Sequence, residues 1–194
     1  MASARNCQMK TRDPDDPLII LAGYNGMQAA QAWITHLNQN AGQNGAQVFS
    51  WREARKVDDF IAAAAPLRLT LIGHSLGAGQ AQLIAQRLPV GMICNLITVA
   101  PFAPPDLDTA LVRRNVGCWL NIVAAPRWHD PFLKFAGWFS LNWRDQGAIP
   151  SATENHFSSF PHQDFYRMMS ERCGDPQNGK LNWLSALDRS MDAL

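Results

Sequence analysis

At residues 73–77 the chain reads Gly73-His74-Ser75-Leu76-Gly77. A short apolar run at residues 67–72 precedes this pentad and is typical of a buried strand. Residues 78–88 follow it, with good helix formers and apolar side chains at helical spacing. The pentad therefore predicts a sharp turn that joins a strand directly to a helix.

A Gly-x-Ser-x-Gly pentad between a strand and a helix is typical of a turn that presents a nucleophilic serine. A serine at the tip of a tight turn exposes its Oγ, and Gly73 and Gly77 leave room for the strand and helix that pass close by. The N–H of Leu76, at the positive end of the helix, would face an oxyanion beside Ser75. His74 is taken as the variable position of the pentad. The motif predicts catalysis by Ser75, with Leu76 as an oxyanion donor.

Length and charge narrow the classes of function. The chain has 194 residues, 47% of them hydrophobic, and a formal net charge of +1. We expect a polar tail at residues 1–16 and one domain at residues 17–194. No basic stripe is present to neutralise phosphates, so no nucleic-acid partner is expected. The sequence leaves the oligomeric state open.

The sequence carries no signal-peptide pattern and no apolar run of membrane-spanning length, so a cytoplasmic location is expected. The four cysteines have no CxxC spacing and no neighbouring histidines that would suggest zinc. Free thiols in a reducing compartment are therefore predicted, and no metal site. The cysteines are Cys7, Cys94, Cys118 and Cys173.

Short apolar strands alternate with helices along the chain, which is typical of a parallel sheet with helices on both faces. Strands are expected at 18–22, 46–51, 67–72, 95–100 and 118–124. Helices are expected at 27–38, 53–64, 78–88, 106–114, 161–173 and 181–194. An aromatic-rich segment at residues 128–143 follows neither period.

With this order of elements the chain resembles the α/β-hydrolase superfamily, and within it the small serine esterases and class 3 lipases. The resemblance covers residues 17–173, and its specific motif is the pentad at 73–77. It implies a doubly wound, mostly parallel sheet and a serine, an acid and a histidine in that chain order. The chain has no room for the antiparallel strands of larger members, so a minimal version of cutinase-like size is expected.

The resemblance places the acid just beyond a strand that follows the serine. Asp130 satisfies this, and Asp130-Pro131 resembles the acid loop of class 3 lipases. Asp106 and Asp108, beyond the preceding strand, are the alternative, although Asp106 also fits a helix N-cap.

Two histidines follow Asp130. His156 lies in a stretch that resembles the histidine loop before the last helix of these enzymes, and is the expected base. His162, at the start of that helix, is the alternative. The second oxyanion donor is expected to be the N–H of Tyr24, in the loop after the first strand.

These residues imply hydrolysis of carboxylic esters without cofactor or metal. Phe135 and Trp138, in the segment 128–143, are expected to bind the acyl chain of an ester or lipid or to contact a membrane surface; packing as core is the alternative. A thioesterase or amidase with the same residues, or a catalytically silent scaffold that binds a partner, also fits the sequence.

Overall fold

A computed structural model describes residues 15–23, 46–125, 143–162, 164–170, 172–173 and 181–182. Six parallel strands form the central sheet of this part of the chain: β1 (Leu18–Ala22), β2 (Ala46–Ser50), β3 (Leu69–His74), β4 (Ile93–Val99), β6 (Val116–Val123) and β8 (Glu154–Phe157). Their order across the sheet is β2-β1-β3-β4-β6-β8. The strand order reverses direction between β1 and β3. In such sheets the crevice beyond the carboxyl ends of the strands at the reversal is where ligands bind.

The other described elements connect or cover the sheet. The helices are α1 (Ala54–Ala64), α2 (Leu76–Arg87), α3 (Thr109–Asn115) and α4 (Phe165–Ser170), and a 3-10 turn, Trp51–Glu53, precedes α1. Two short antiparallel pairs of strands are separate from the central sheet. β5 (Phe102–Ala103) pairs with β7 (Arg144–Asp145), and β9 (Arg172–Cys173) pairs with β10 (Leu181–Asn182).

Successive side chains of the strands point to opposite faces of the sheet and pack into two hydrophobic cores, one on each face. In β1, Ile19 and Leu21 belong to the core that also contains residues of α1, α2 and α3. Ile20 belongs to the opposite core, together with Met168 and Met169 of α4. Helices therefore cover both faces of a parallel sheet, which confirms the predicted fold class.

Element boundaries differ from the expected ones where turn residues intervene. α1 ends at Ala64, as expected, and the next residue, Ala65, has a left-handed φ of 42°. β3, in contrast, begins only at Leu69, so Leu67 is 93% exposed and not part of a strand. α3 begins at Thr109 rather than 106, because the carboxylate of Asp108 accepts the N–H of Leu111 at 2.9 Å and caps the helix.

Two differences concern the C-terminal part. β8 is a strand that the sequence does not predict, because its four residues are mostly polar. Residues 181–182 form a strand paired with residues 172–173, so a helix beginning at 181 is wrong. The expected helix at 27–38 and the chain beyond residue 182 lie outside the described residues.

The two cysteines whose side chains are described differ in state. Cys94 is a buried free thiol, as expected. Cys118 is bonded in a disulfide whose second cysteine lies outside the described side chains, so the prediction of a free thiol is wrong there. Separately, none of the helices in the described ranges is long and apolar enough to cross a membrane.

Candidate active site

Ser75 is the only residue between the end of β3 at His74 and the start of α2 at Leu76. Its backbone has φ 56° and ψ −125°, a conformation that residues other than glycine rarely adopt. Surrounding main chain holds it there: the Ser75 N–H donates to the oxygen of Val99 at 2.9 Å, and the Ser75 oxygen accepts the N–H of Phe102 at 3.1 Å. The strained turn is therefore fixed by the strand and loop beside it.

The two glycines of the pentad stand where no side chain fits. A Cβ on Gly73 would lie 2.4 Å from the Cα of Ala78, and one on Gly77 would lie 2.1 Å from the main-chain oxygen of Leu21. These contacts explain why the strand, the turn and the helix pack so closely only with glycine at both positions.

Gly23, directly after β1, lies against the serine itself. A Cβ built on Gly23 would be 2.7 Å from the Cβ of Ser75 and 3.3 Å from its Oγ. The main chain at Gly23 is therefore in contact with Ser75. Tyr24, the expected second oxyanion donor, is the next residue in the sequence but lies outside the described residues.

The hydroxyl of Ser75 is buried, and among the described residues it has no hydrogen-bond partner. Such a group costs roughly 1–3 kcal/mol relative to a satisfied one. Buried unsatisfied groups are rare in folded proteins, and a catalytic role is one of the explanations for them.

The Leu76 N–H is in the first turn of α2, where N–H groups lack an acceptor within the helix and carry the positive end of its dipole. This end of α2 adjoins Ser75.

His156 lies in the middle of β8, in a row of partners that crosses the sheet. It pairs with Ile122 of β6, which pairs with Val99 of β4, which pairs with His74 of β3. Three strand spacings separate the ends of this row, roughly 14 Å at ~4.8 Å each. The structure therefore does not bring His156 to Ser75.

The surroundings of His156 are those of an edge strand. It is half-buried, two positions from Glu154 on the same strand face. Burial raises the pKa of Glu154, and the charge of His156 opposes that rise. The charge of His156 thus acts on this carboxyl group at the edge of the sheet.

His162, the alternative base, lies five positions beyond the end of β8, and the chain there returns to the serine turn. Its main-chain oxygen is 2.8 Å from Nε2 of His74, and the two imidazole rings are 5.1 Å apart. The ring of Phe102 meets the His162 ring edge-on at 5.3 Å. His162 thus contacts the residue before Ser75 and the residue whose N–H binds the Ser75 oxygen.

Of the three candidate acids, Asp106 and Asp108 are among the described residues and Asp130 is not. Asp130 lies in the range 126–142, outside the described residues, as do Phe135 and Trp138. Asp106 is exposed in the turn that follows β5, and the carboxylate of Asp108 is used as the cap of α3. Of the aromatic-rich segment 128–143 only Trp143 is described.

Trp143 is half-buried and lies against α2. A Cβ on Gly79, in the first turns of α2, would lie 2.7 Å from Cζ3 of the Trp143 ring, and this ring lies 6.3 Å from that of Trp51. The role of Phe135 and Trp138 stays a prediction.

The sequence assigns no role to two residues at the site, His74 and Phe102. The sequence treats His74 as a variable position, yet its ring is buried, and burial lowers its pKa to about 3, with the nearby charge of His162 as the second cause. No pattern in the sequence indicates Phe102. It lies two positions after Ala100, whose positive φ of 46° turns the chain towards the turn at Ser75. No group of three or more His, Cys, Asp or Glu side chains within the described ranges could hold a metal ion.

A parallel, doubly wound sheet with a strained serine between a central strand and its helix defines the α/β-hydrolase fold. A model of the alpha/beta hydrolase family matches residues 20–192, which is most of the chain. The protein therefore belongs to the alpha/beta hydrolase family. Comparison with curated proteins and with solved structures found no match.

Proposed function

We propose that this protein is a serine hydrolase that cleaves carboxylic esters through Ser75. The observation that carries the proposal is the state of the Ser75 hydroxyl, which is buried without a described hydrogen-bond partner at a left-handed turn beside the start of α2. Strain and an unsatisfied hydroxyl both lower stability, and a chain that only binds a partner needs neither of them. This favours chemistry at Ser75 over a silent scaffold.

In the proposed reaction the Oγ of Ser75 attacks the ester carbonyl while its proton passes to a histidine. The N–H groups of Leu76 and Tyr24 stabilise the negative charge on the carbonyl oxygen. The protonated histidine then gives its proton to the departing alcohol, which leaves an acyl group on Ser75. Water, deprotonated by the same histidine, releases the acid and restores the serine.

We assign the base to His162, in place of His156. Proton transfer needs heavy atoms within hydrogen-bond reach, about 2.6–3.2 Å, although such bonds are often long before substrate binds. A residue three strands away on β8 does not meet that requirement. His162 adjoins both His74 and Phe102, the two residues that flank Ser75 in space. Asp130 remains the proposed acid that orients the imidazole.

The acyl-binding part of the proposal rests on sequence. Phe135 and Trp138 lie between Asp130 and His162 in the chain, and aromatic side chains at the rim of a hydrolase site suit an apolar acyl group. We therefore propose esters of apolar acids or lipids as substrates. We also propose that the same aromatic segment contacts a membrane surface.

A covalent label tests the reaction class. Wild type should react with a fluorophosphonate, and peptide mass spectrometry should locate the adduct on Ser75; Ser75→Ala should not react. A panel of nitrophenyl esters, acyl thioesters and anilides then separates an esterase from a thioesterase or an amidase. A folded wild type that takes no label at Ser75 would refute the proposal and leave the binding scaffold.

Paired alanine variants test the base. His162→Ala should lower kcat by several orders of magnitude, as loss of a triad base does, while His156→Ala should have a small effect. The opposite order would return the role of base to His156.

A further inference from the structure

We propose that His74 is a positioning residue that holds His162 beside Ser75 through a hydrogen bond from its imidazole to the main chain of His162. The inference rests on the proposed function, because it takes His162 as the base. It adds a role for the residue between Gly73 and Ser75, a position that the motif itself leaves open.

The direction of this hydrogen bond follows from its acceptor. The distance from Nε2 of His74 to the His162 oxygen is 2.8 Å. A carbonyl oxygen only accepts, so Nε2 carries the proton and donates it. His74 is therefore the neutral tautomer that is protonated at Nε2.

The bond acts on His162 because of where this residue lies. His162 belongs to the connection between the end of β8 at Phe157 and the start of α4 at Phe165. Before His162 this connection is bonded to the chain after β6, where the oxygen of Phe160 accepts the N–H of Ala125 at 2.8 Å, and the bond from His74 attaches it to β3. His74, in contrast, is part of β3, and its Cα is paired in register with Val99 of β4. The bond therefore ties a residue of an irregular connection to the rigid centre of the sheet.

The same bond joins the proposed base to the proposed nucleophile. His74 precedes Ser75 directly, so fixing the His162 main chain to His74 sets its distance from the serine. A misplacement of about 1 Å at a reacting group is enough to lower a rate by about a hundredfold. An anchor at this point acts on catalysis without touching substrate.

The protonation state of His74 suits this role. Burial, and then the charge of His162, lowers the pKa of His74 to about 3. The ring therefore remains neutral while His162 gains a proton in the reaction. A cationic ring 5.1 Å away would oppose that protonation.

A pair of variants of similar shape separates the hydrogen bond from packing. His74→Gln keeps an amide N–H near the position of Nε2, whereas His74→Met has a chain of similar length and no donor. We expect His74→Met to lower kcat by about tenfold or more, since the main chain of His162 loses this bond and a misplacement of about 1 Å lowers a rate by about a hundredfold. KM should change little, and His74→Gln should recover most of kcat.

The matched control is Cys94→Ala. The Cys94 thiol is also buried and donates to the main-chain oxygen of Leu69 at 3.1 Å, at the other end of the sheet from Ser75. This variant should lower the melting temperature without lowering kcat, which shows what a purely structural loss does.

The outcomes are distinct. If wild type labels at Ser75 but His74→Met retains full kcat, the positioning role is refuted and the proposed function stands. Equal losses in His74→Gln and His74→Met, at equal melting temperatures, would also refute it, because packing alone would then matter. A wild type without label at Ser75 removes the proposed function itself, and the inference with it.

A measurement on wild type covers the case in which the variants fail to fold. Nitrogen-15 NMR of the imidazole should show His74 as the neutral tautomer protonated at Nε2 down to about pH 4, given its pKa of about 3. A ring protonated at Nδ1 alone, or one that titrates near pH 6.5, would contradict the hydrogen bond as assigned.

Discussion

The Nε2 atom of His74 is 2.8 Å from the main-chain oxygen of His162, although 88 positions of sequence separate the two residues. β3 and β8 are separated in the sheet by β4 and β6, so only the connection after β8 brings His162 back to the turn at Ser75. A histidine within β8 remains at the edge of the sheet. The segment that follows β8 thus determines that His162, rather than His156, lies beside the turn at Ser75.

Acid should destabilise the protein through His74. Its pKa is about 3 in the folded protein against an ordinary value of 6.5, so the unfolded chain takes up the proton first. This contribution to the free energy of unfolding is complete above pH 6.5. It falls as the pH decreases towards 3, by up to ~1.4 kcal/mol for each pH unit.

Urea unfolding at several pH values between 7 and 4 measures the effect, with wild type and His74→Gln compared. Glutamine does not titrate, so the curve of the variant should be flatter over this range. Parallel curves would mean that His74 keeps an ordinary pKa in the folded protein.

Ser75→Ala should abolish hydrolysis without destabilising the fold. The buried hydroxyl of Ser75 has no described hydrogen-bond partner, so its removal loses no hydrogen bond and ends a desolvation penalty. We expect the free energy of unfolding to stay equal or to rise by up to about 1 kcal/mol.

Ser158→Ala is the matched control for that prediction. The Ser158 hydroxyl is also buried, but it accepts the N–H of Phe160 at 3.0 Å. Its loss should cost about 1 kcal/mol. Chemical denaturation of both variants tests the contrast, which fails if Ser75→Ala is the less stable of the two.

Gly23→Ala should remove activity because the added Cβ would clash with Ser75. That atom would lie 2.7 Å from the Cβ of Ser75 and 2.8 Å from the main-chain oxygen of His74. Crowding of this kind costs roughly 1–3 kcal/mol of stability, and here it also displaces the serine.

Gly117→Ala provides the control, since its Cβ would meet the oxygen of Cys94 at the same 2.8 Å, near the start of β4. Both variants should melt at lower temperature, but only Gly23→Ala should lose ester hydrolysis and labelling at Ser75. Comparable activity in the two variants would show that Ser75 tolerates the displacement.

Sequence predicts the centre of this fold better than its edge. β1 is an uninterrupted run of apolar residues and is recognised with its boundaries intact, because a strand buried on both faces must be apolar throughout. The pentad is recognised because its five residues are consecutive in the sequence, although the contact that excludes a side chain at Gly77 is with Leu21 of β1. Both signals are local.

The edge strand and the base depend on longer-range relationships. β8 contains Glu154, Asn155 and His156, and nothing in their pattern indicates that they pair with β6. Once they do, the register places His156 opposite Ile122 and leaves His162 to return to the turn. The choice between the two histidines therefore depends on strand register, which a single sequence does not contain.

Asn121 in β6 carries the hydrogen bonds that attach this edge to the rest of the sheet. Its side chain is fully buried; the oxygen accepts the hydroxyl of Thr98 at 2.9 Å, and the nitrogen donates to the oxygen of Gly147 and to Oδ1 of Asn155, both at 2.8 Å. Asn155 in turn bonds the main-chain N–H and oxygen of Ile149, at 2.8 and 3.0 Å. One amide thus joins β4, β6, β8 and the turn before β8.

Asn121→Asp should therefore be strongly destabilising although it preserves shape. At pH 7 it would replace a donor by a buried carboxylate facing two acceptors, and we expect a loss of about 3 kcal/mol in the free energy of unfolding. A protonated carboxyl group restores one donor. Burial among acceptors raises the pKa of such an acid, so the deficit relative to wild type at the same pH should shrink between pH 7 and 4.5. Urea unfolding of both proteins at the two pH values measures this, and a deficit that is small at pH 7, or that grows on acidification, would contradict the assigned donor directions.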